Sequence, residues 1–274
     1  MKIVTRISEL PHDVGTSVGL VPTMGGFHDG HLQLMKTARA ERDLVVVSLF
    51  VNPTQFGPSE DFERYPRDRD KDAALAKKVG VDILFAPEVG EIYPRPGTTV
   101  HVPVVSTHWE GASRPGHFAG VATVVCKLFN IVRPEVAYFG LKDLQQCLVI
   151  SRMVEDLNIP VRVSLQPTVR EADGLALSSR NVYLTEEERQ LGPLIFQQLT
   201  ACKQLLHSSI LTHDQIDEAL KQSKVKLEDA GFRVDYFELI ELATAHSTRS
   251  TSMPTALIAA AQLGKTRLID NILL

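Results

Sequence analysis

The chain has 274 residues, of which 44% are hydrophobic and 23% are charged. This composition excludes a disordered chain and fits one large domain or a large and a small one. With 29 basic and 33 acidic residues the formal net charge is −4, so no whole-chain positive field attracts nucleic acid. The apolar runs Leu44–Val51 and Leu257–Ala261 are well below the roughly 20 residues that a membrane-spanning helix needs. We therefore expect neither a nucleic-acid partner nor a membrane span.

The N-terminal stretch and the cysteines predict a cytoplasmic location. The first residues, MKIVTRISELPHD, place charges and a proline where a signal peptide has its apolar segment. Cys126, Cys147 and Cys202 form no CxxC pair, so they indicate neither a disulfide framework nor a zinc knuckle. We expect each of them to be a small buried apolar residue.

The first two thirds of the chain alternate β-branched apolar runs with helical patterns. This alternation is typical of βα units that build a parallel sheet covered on both faces. Helices are expected at Leu32–Ala38, Val121–Val132 and Leu144–Leu157, and the charged segment Asp61–Asp72 is expected to be a solvated loop and first helical turn. The expected strands are Val18–Thr23, Leu44–Phe50, Ile83–Ala86, Val100–Val105, Val136–Phe139 and Val161–Gln166.

The pattern changes after Pro167. Thr185, followed by three glutamates, predicts the N-cap of one long amphipathic helix that reaches His207. A second helix is expected near His213–Ala230, and strand-like runs follow at Tyr236–Glu241, Leu257–Ala261 and Arg267–Ile272. We predict an α/β fold with a Rossmann-like, doubly wound parallel sheet in residues 1–167 and a smaller α+β domain in residues 168–274.

The segment Val21–His31 (VPTMGGFHDGH) carries the strongest chemical signal, because it joins the first predicted strand to the first predicted helix. Its glycines let backbone approach a ligand, and the following helix N-terminus favours negative charge. His28 and His31 are three residues apart, so both rings can lie on one side and donate to an anion. Alternatively, His28 caps the helix and His31 is a surface residue. A zinc site is disfavoured, because neither an HExxH frame nor a third ligand accompanies the pair.

The sequence matches neither of two common nucleotide-binding fingerprints. GxGxxG does not occur in the sequence. Gly264-Lys265-Thr266 resembles the end of a P-loop, but Ala259 stands where the first glycine of that motif belongs. We expect a turn between two late strands there, which leaves the His28–His31 segment as the place for a nucleotide.

Three other stretches carry polar side chains suited to a substrate. Gln55 follows the second strand, at the edge where the carboxyl ends of parallel strands meet, and is either a ligand for an uncharged polar group or a loop glutamine. Lys142 begins a helix, where the macrodipole disfavours a cation, so it is either a phosphate ligand that a polyphosphate compensates or a solvent-exposed lysine. Gln146 lies four residues later. Ser178–Arg180 supplies hydroxyls and a forked cation that suit phosphate oxygens, in a segment that is either a linker or a lid.

The segment Glu110–Val121 leaves two questions open. Arg114 and His117 either line the site or stabilise their loop. Trp109 is expected to pack against the protein rather than to stack on a ligand.

Taken in order, these stretches resemble the pantoate–β-alanine ligase family, the pantothenate synthetases, within the HIGH-type nucleotidyltransferase superfamily. The resemblance covers nearly the entire chain. Gly26 and Phe27 stand where the family usually has Ala-Leu, and Leu141 replaces a polar residue, but no departure removes a functional side chain. The matching motifs are VPTMGGFHDGHLQL, FVNPTQFGPSEDFERYPR, EGASRPGHFAGVATVVCKLFN, AYFGLKDLQQ and READGLALSSRNVYL.

The resemblance implies an amide ligation in two steps. The pantoate carboxylate attacks the α-phosphorus of ATP to give pantoyl adenylate and pyrophosphate, and the amine of β-alanine then displaces AMP. The larger domain would bind ATP and pantoate, and the smaller one would act as a lid. A homodimer and Mg²⁺ as cofactor are also implied.

The resemblance also implies residue roles. His31 would be the proton donor at the phosphates with His28 beside it, while Lys142 and Arg180 would hold the phosphates. Asp143 would contact Mg²⁺ indirectly. The whole ATP site would comprise Met24, Gly25, Gly26, Phe27, His28, Asp29, Gly30, His31, Gly140, Leu141, Lys142, Asp143, Val169, Leu177, Ser178, Ser179 and Arg180.

Pantoate would be bound by two glutamines. Gln55 and Gln146 suit its hydroxyl groups, Gln55 would also touch β-alanine, and Asn52 is a weaker candidate near the phosphates. The alternative is a nucleotidyltransferase of the same superfamily that acts on a phosphorylated acceptor, which should show extra Arg or Lys in these loops. A catalytically silent nucleotide-binding protein would typically lack His28, His31 or Lys142, and all three are present.

Overall fold

The computed structural model describes residues 1–11, 15–58, 60, 62, 63, 65, 67–208 and 211–274. The chain divides into two compact units. The first unit contains Met1–Gly140 and Gln145–Pro167, and the second contains Leu141–Leu144 and Thr168–Leu274. The short segment Leu141–Leu144 therefore belongs with the second unit, although the predicted boundary places it in residues 1–167. The ligand-binding and lid roles of the two domains stay predictions.

The first unit is built on a six-stranded sheet with the order β1-β4-β3-β2-β5-β6 and parallel pairing throughout. Because β2 lies between β3 and β5, the winding direction reverses there, and a ligand crevice is expected beyond the carboxyl ends of these strands. The predicted doubly wound α/β fold is confirmed. The strands are β1 (Lys2–Val4), β2 (Val18–Thr23), β3 (Leu44–Leu49), β4 (Ile83–Phe85), β5 (Val136–Gly140) and β6 (Arg162–Gln166).

Helices pack their apolar residues against this sheet. Met35 and Ala38 of the first helix and Ala76 of the second join Val45 and Val47 of β3 in one buried cluster. The helices are α1 (Asp29–Glu41), α2 (Arg69–Lys78), α3 (Val89–Ile92), α4 (Pro103–Ser106), α5 (Glu110–Ser113), α6 (His117–Val132) and α7 (Leu144–Asp156). Short 3₁₀ turns occur at Ile7–Glu9, Pro53–Gln55, Leu141–Asp143 and Ser179–Tyr183.

Three expectations for the first unit need correction. β1 was not predicted, because three residues are too few to show a periodic pattern. The strand predicted at Val100–Val105 is wrong: Pro103 has no backbone N–H to donate to a sheet, and it starts α4 instead. Helix α6 begins at His117 rather than Val121, after Gly116, which adopts a φ of 84°.

The charged segment Asp61–Asp72 is only partly a solvated loop. Asp61, Arg64 and Pro66 lie outside the described residues. Asp68 is the N-cap of α2 and accepts a hydrogen bond from Lys71 N. Asp72 is 2% exposed, so its description as a solvated residue is wrong.

In the second unit, the helices Leu194–Ser208 and His213–Asp229 share a buried apolar cluster with a three-stranded antiparallel sheet of order β7-β8-β9. The predicted single helix from Thr185 to His207 is wrong, because Gly192 and Pro193 interrupt it. Thr185 is an N-cap as predicted, and Gly264 lies in the predicted turn between late strands. The elements are α8 (Glu186–Leu191), α9 (Leu194–Ser208), α10 (His213–Asp229), β7 (Arg233–Glu241), β8 (Thr255–Leu263) and β9 (Thr266–Leu273).

The cysteines are thiols. Cys147 and Cys202 are buried as expected, whereas Cys126 is only partly buried. Burial raises the pKa of the Cys202 thiol to about 11, so this group is protonated at neutral pH. Within the part of the chain that the structure describes, no helix has both the length and the apolar character needed to cross a membrane.

Candidate active site

A buried carboxylate fixes the conformation of the turn after β2. Gly25 and Gly26 have φ values of 102° and 65°, in the region that favours glycine. Asp72 of α2 accepts hydrogen bonds from Gly26 N at 2.9 Å and from Phe27 N at 2.8 Å. These bonds fix the path of the chain just before His28, so the orientation of the histidine pair depends on Asp72.

His28 and His31 lie side by side at the start of α1, with ring centroids 4.2 Å apart. Nδ1 of His28 accepts from Gly30 N at 3.2 Å, and Nδ1 of His31 accepts from His28 N at 3.4 Å. An imidazole nitrogen that accepts a hydrogen bond carries no proton. In the neutral form both rings therefore carry their proton on Nε2. His28 does cap the helix, as the alternative interpretation predicts. Because this contact occupies Nδ1, Nε2 is the nitrogen of His28 that can donate.

The Gln55 amide has a defined orientation. Asn52 Nδ2 donates to the Gly120 carbonyl at 3.1 Å and to Gln55 Oε1 at 3.0 Å. Because Gly120 offers a carbonyl oxygen, the Asn52 atom that faces it must be the donor, and the Gln55 atom that faces Asn52 must be the acceptor. Gln55 Nε2 then donates to Met24 Sδ at 3.1 Å. A thioether is a weak acceptor, so an oxygen atom of a ligand would be a better partner for this donor.

Tyr93 completes the support of Asn52. Its hydroxyl donates to Asn52 Oδ1 at 3.0 Å, and Thr54 Oγ1 donates to the same oxygen at 2.9 Å. Burial raises the pKa of the Tyr93 phenol, so the hydroxyl keeps its proton near neutral pH. Asn52 is 1% exposed, and its side chain acts as the support of the Gln55 turn.

Arg114 and His117 support the same turn from the other side. Glu60 binds the Arg114 guanidinium at 2.6 and 2.8 Å, and this pairing lowers the pKa of the Glu60 carboxyl. Arg114 Nη1 lies 3.0 Å from His117 Nε2, and His117 Nδ1 lies 2.9 Å from the Gln55 carbonyl. Because arginine only donates, His117 Nε2 accepts and Nδ1 donates to Gln55. These contacts favour the loop-stabilising role for both residues.

The two neighbouring glutamines of α7 differ in environment. Gln145 is buried, and its Nε2 donates to the carbonyls of Val105 and His108, both at 2.9 Å. Gln146, the predicted pantoate ligand, is only partly buried. Trp109 is also partly buried and has a φ of 53°, which is rare for a residue with a large side chain.

The predicted cations lie in the second unit. Lys142 sits in the 3₁₀ turn before α7, with Nζ 3.4 Å from Asp143 Oδ1. Ser178 caps the turn that contains Ser179 and Arg180, because its hydroxyl accepts from Arg180 N at 3.3 Å. Val169 and Leu177 are joined by a backbone hydrogen bond of 3.0 Å, which shapes the loop leading to Ser178.

Comparison with known proteins decides between the two predicted chemistries. A family model described as pantoate-beta-alanine ligase matches residues 2–273. The chain belongs to this ligase family. Its members are ligases, and the nucleotidyltransferase alternative is not favoured.

Individual relatives match over almost their full length. Pantothenate synthetase from Lysinibacillus sphaericus is 49% identical, with 99% of this chain and 97% of that protein covered. The crystal structure of pantothenate synthetase from Thermus thermophilus is 46% identical, has a TM-score of 0.91 and covers 99% of both chains. Pantoate–β-alanine ligase from Francisella tularensis, complexed with β-γ ATP and β-alanine, is 33% identical with a TM-score of 0.81, covering 100% of this chain and 97% of that one.

Several contacts that support the candidate site are not evident from the sequence. Asp72 was predicted to be part of a solvated charge run, and the alanines that follow it are the one local sign that this part of the helix faces the core. The sequence pattern does not distinguish Gln145 from its neighbour Gln146, and it gives no sign that Gly120 contacts the Gln55 turn. No group of three or more His, Cys, Asp or Glu side chains in the described ranges could hold a metal ion.

Asp72→Asn tests the support of the Gly26–Phe27 turn. One carboxylate oxygen becomes an NH₂ group facing a backbone N–H, so we expect the free energy of unfolding to fall by about 1–3 kcal/mol. Urea denaturation measures this change. Asp70→Asn, at an exposed position of the same helix, is the matched control and should stay within about 0.5 kcal/mol of the parent. Equal stability of the two variants would contradict the role of Asp72.

Proposed function

We propose that this ligase joins pantoate to β-alanine through a pantoyl-adenylate intermediate. The supporting observation is the family match over residues 2–273, which spans all five motifs. A carboxylate acylates amines poorly until one of its oxygens becomes part of a phosphate leaving group. The pantoate carboxylate oxygen forms a bond to the α-phosphorus of ATP, and pyrophosphate leaves. The β-alanine nitrogen then attacks the acyl carbon, the C–O bond breaks, AMP departs and the amine proton is released.

From the first unit we assign donors for substrate oxygens. His31, with His28 beside it, directs Nε2–H toward phosphate oxygens, because both Nδ1 atoms accept from backbone. Gln55 donates from Nε2 to an oxygen of pantoate in place of the Met24 sulfur. Gln146 is the second pantoate ligand, and the Gln55 turn also contacts β-alanine. The complex of the Francisella tularensis ligase with β-γ ATP and β-alanine supports the use of these two substrates.

From the second unit we assign the cations Lys142 and Arg180 to the phosphates, where negative charge accumulates as pyrophosphate departs. Mg²⁺ fits this residue set as an ion carried by the nucleotide, because Mg²⁺ is commonly held by one or two carboxylates and substrate phosphates. Asp143 is the carboxylate that would contact it indirectly, and the ion would neutralise phosphate charge. The homodimer and the cytoplasmic location are proposed from the family resemblance and from the three thiols.

Pantoate-dependent exchange of labelled pyrophosphate into ATP, measured without β-alanine, tests the proposal. Exchange that requires pantoate is expected, because the first step is reversible and produces pyrophosphate. Ligation without exchange would argue against a free pantoyl-adenylate intermediate, and absence of ligation would overturn the function.

Gln55→Ala tests whether Gln55 binds pantoate rather than ATP. Loss of one ligand hydrogen bond is expected to raise the KM for pantoate about tenfold, equivalent to about 1.4 kcal/mol, with the affinity for ATP nearly unchanged. Steady-state kinetics for both substrates provide the measurement. A selective loss of ATP affinity would mean that Gln55 has been assigned to the wrong substrate.

A further inference from the structure

The peptide groups around Lys142 are held by a buried side chain of β9. Asn271 Nδ2 donates to the Leu141 carbonyl at 2.8 Å and to the Lys142 carbonyl at 3.0 Å. Asn271 is 6% exposed, so bulk water competes only weakly for the groups that form these two hydrogen bonds. Both protons of one amide group are thereby used to orient the backbone on each side of the lysine.

The same strand is tied to the loop that leads to Arg180. Arg170 forms a two-pronged pair with Asp270 at 2.6 and 2.8 Å, and it also donates to the Gly174 carbonyl at 3.1 Å and to the Asn271 carbonyl at 3.3 Å. Asp270 in turn accepts from Asn271 N at 2.8 Å. One guanidinium therefore connects the loop around Gly174 with the strand that holds the Lys142 turn.

An aromatic ring fixes this guanidinium. Arg170 lies 3.6 Å above the ring centroid of Phe196 in α9. Gly174, with a φ of 98°, packs on the same ring, and a Cβ atom there would lie 2.8 Å from Phe196 Cδ1. The side chains of Arg170 and Asp270 are 17% and 5% exposed, so the pair is shielded from solvent screening.

We infer that Asn271 is a positioning residue for the adenylation step: it fixes the backbone that carries Lys142, and Arg170 and Asp270 couple it to the loop that carries Arg180. The inference rests on the proposed roles of Lys142 and Arg180 in that step. Asn271 touches no reacting atom. Asn271 affects the rate by fixing the position of Lys142, because a displacement of a catalytic group by about 1 Å can lower the rate by up to 10²-fold.

Asn271→Asp tests this role with little change in shape, because it replaces the NH₂ donor by an oxygen that faces two carbonyl oxygens. We expect the turnover of pantoate-dependent pyrophosphate exchange to fall about 10- to 100-fold, with the KM for pantoate unchanged. Gln262→Glu, an amide-to-carboxylate change at an exposed contact of β8 with the Gly264 carbonyl, is the control and should exchange at the parent rate.

A double-mutant cycle separates positioning from general destabilisation. In a Lys142→Ala background, Asn271→Asp should lower exchange less than about threefold, because the group it positions is already absent. If the fold-decreases in exchange rate caused by the two substitutions multiply fully in the double variant, the positioning role is overturned and the proposed function stands. If Asn271→Asp does not fold, Asn271→Ser, which keeps one donor, enters the same cycle with the same criterion. No exchange by the parent enzyme would overturn the proposed function, and the positioning role with it.

Discussion

Lys142→Ala is expected to lower the rate of pantoyl-adenylate formation by roughly 10²–10³, the effect of removing one transition-state stabiliser. Its fold should survive, because the Lys142–Asp143 contact of 3.4 Å involves an Asp143 side chain that is 49% exposed. Exposed ion pairs of this kind contribute only about 0–1 kcal/mol to stability. Pyrophosphate exchange measures the rate, and thermal unfolding checks the fold.

Lys265→Ala is the matched control for Lys142→Ala. Lys265 is an exposed lysine of the same unit and belongs to the Gly264-Lys265-Thr266 sequence that resembles a P-loop. Since it lies in the turn between β8 and β9, its removal should leave exchange unchanged. An equal loss in both variants would show that overall charge, rather than the position of Lys142, drives the reaction.

Gly120→Ala is expected to reduce the free energy of unfolding by about 1–3 kcal/mol, because it overpacks a backbone contact. Inside a helix this substitution ordinarily stabilises by up to about 1 kcal/mol. Here the new Cβ would lie 2.7 Å from Gln55 Cα, and still closer to the Thr54 carbonyl oxygen. Backbone atoms cannot swing aside as side chains do, so the steric cost exceeds the gain in helix propensity.

The same substitution should also weaken pantoate binding. Gly120 accepts a hydrogen bond from Asn52, which orients Gln55, so displacement of α6 from this turn misplaces the Gln55 amide. We expect the KM for pantoate to rise about tenfold, as when one ligand hydrogen bond is lost. Gly90→Ala in α3, where a Cβ meets no atom within 4 Å, is the control for both measurements. A stable Gly120→Ala variant with normal KM would show that the close approach is unimportant.

The features that the sequence predicts well depend on neighbouring residues. Strand β2 has the predicted bounds Val18–Thr23, because a central parallel strand is apolar on both faces. The histidine pair occupies the predicted helix start, since the relation between His28 and His31 spans one helical turn. Motif order also leads to the correct family, because five stretches are compared together.

The features that the sequence did not reveal depend on distant partners. Asp72 binds backbone 45 and 46 residues away, and nothing within the run DRDKD distinguishes its last aspartate from the one before it. The orientation of Gln55 depends on Gly120, whose carbonyl is contacted by Asn52 across 68 residues. Asn271 supports the turn that contains Leu141, although the two residues are 130 positions apart in the sequence. Composition and periodicity carry no information about such pairs.

The assignment of Leu141–Leu144 to the second unit affects how the protein can be dissected. A fragment ending at Pro167, the boundary that the sequence suggests, would retain Lys142 and yet lack Asn271, the residue that binds its backbone. The complementary fragment would keep Asn271 without the lysine. Neither half would contain a complete second unit. Truncation is therefore a poor way to study the separate units, and a circularly permuted chain must leave the 140–145 segment uncut.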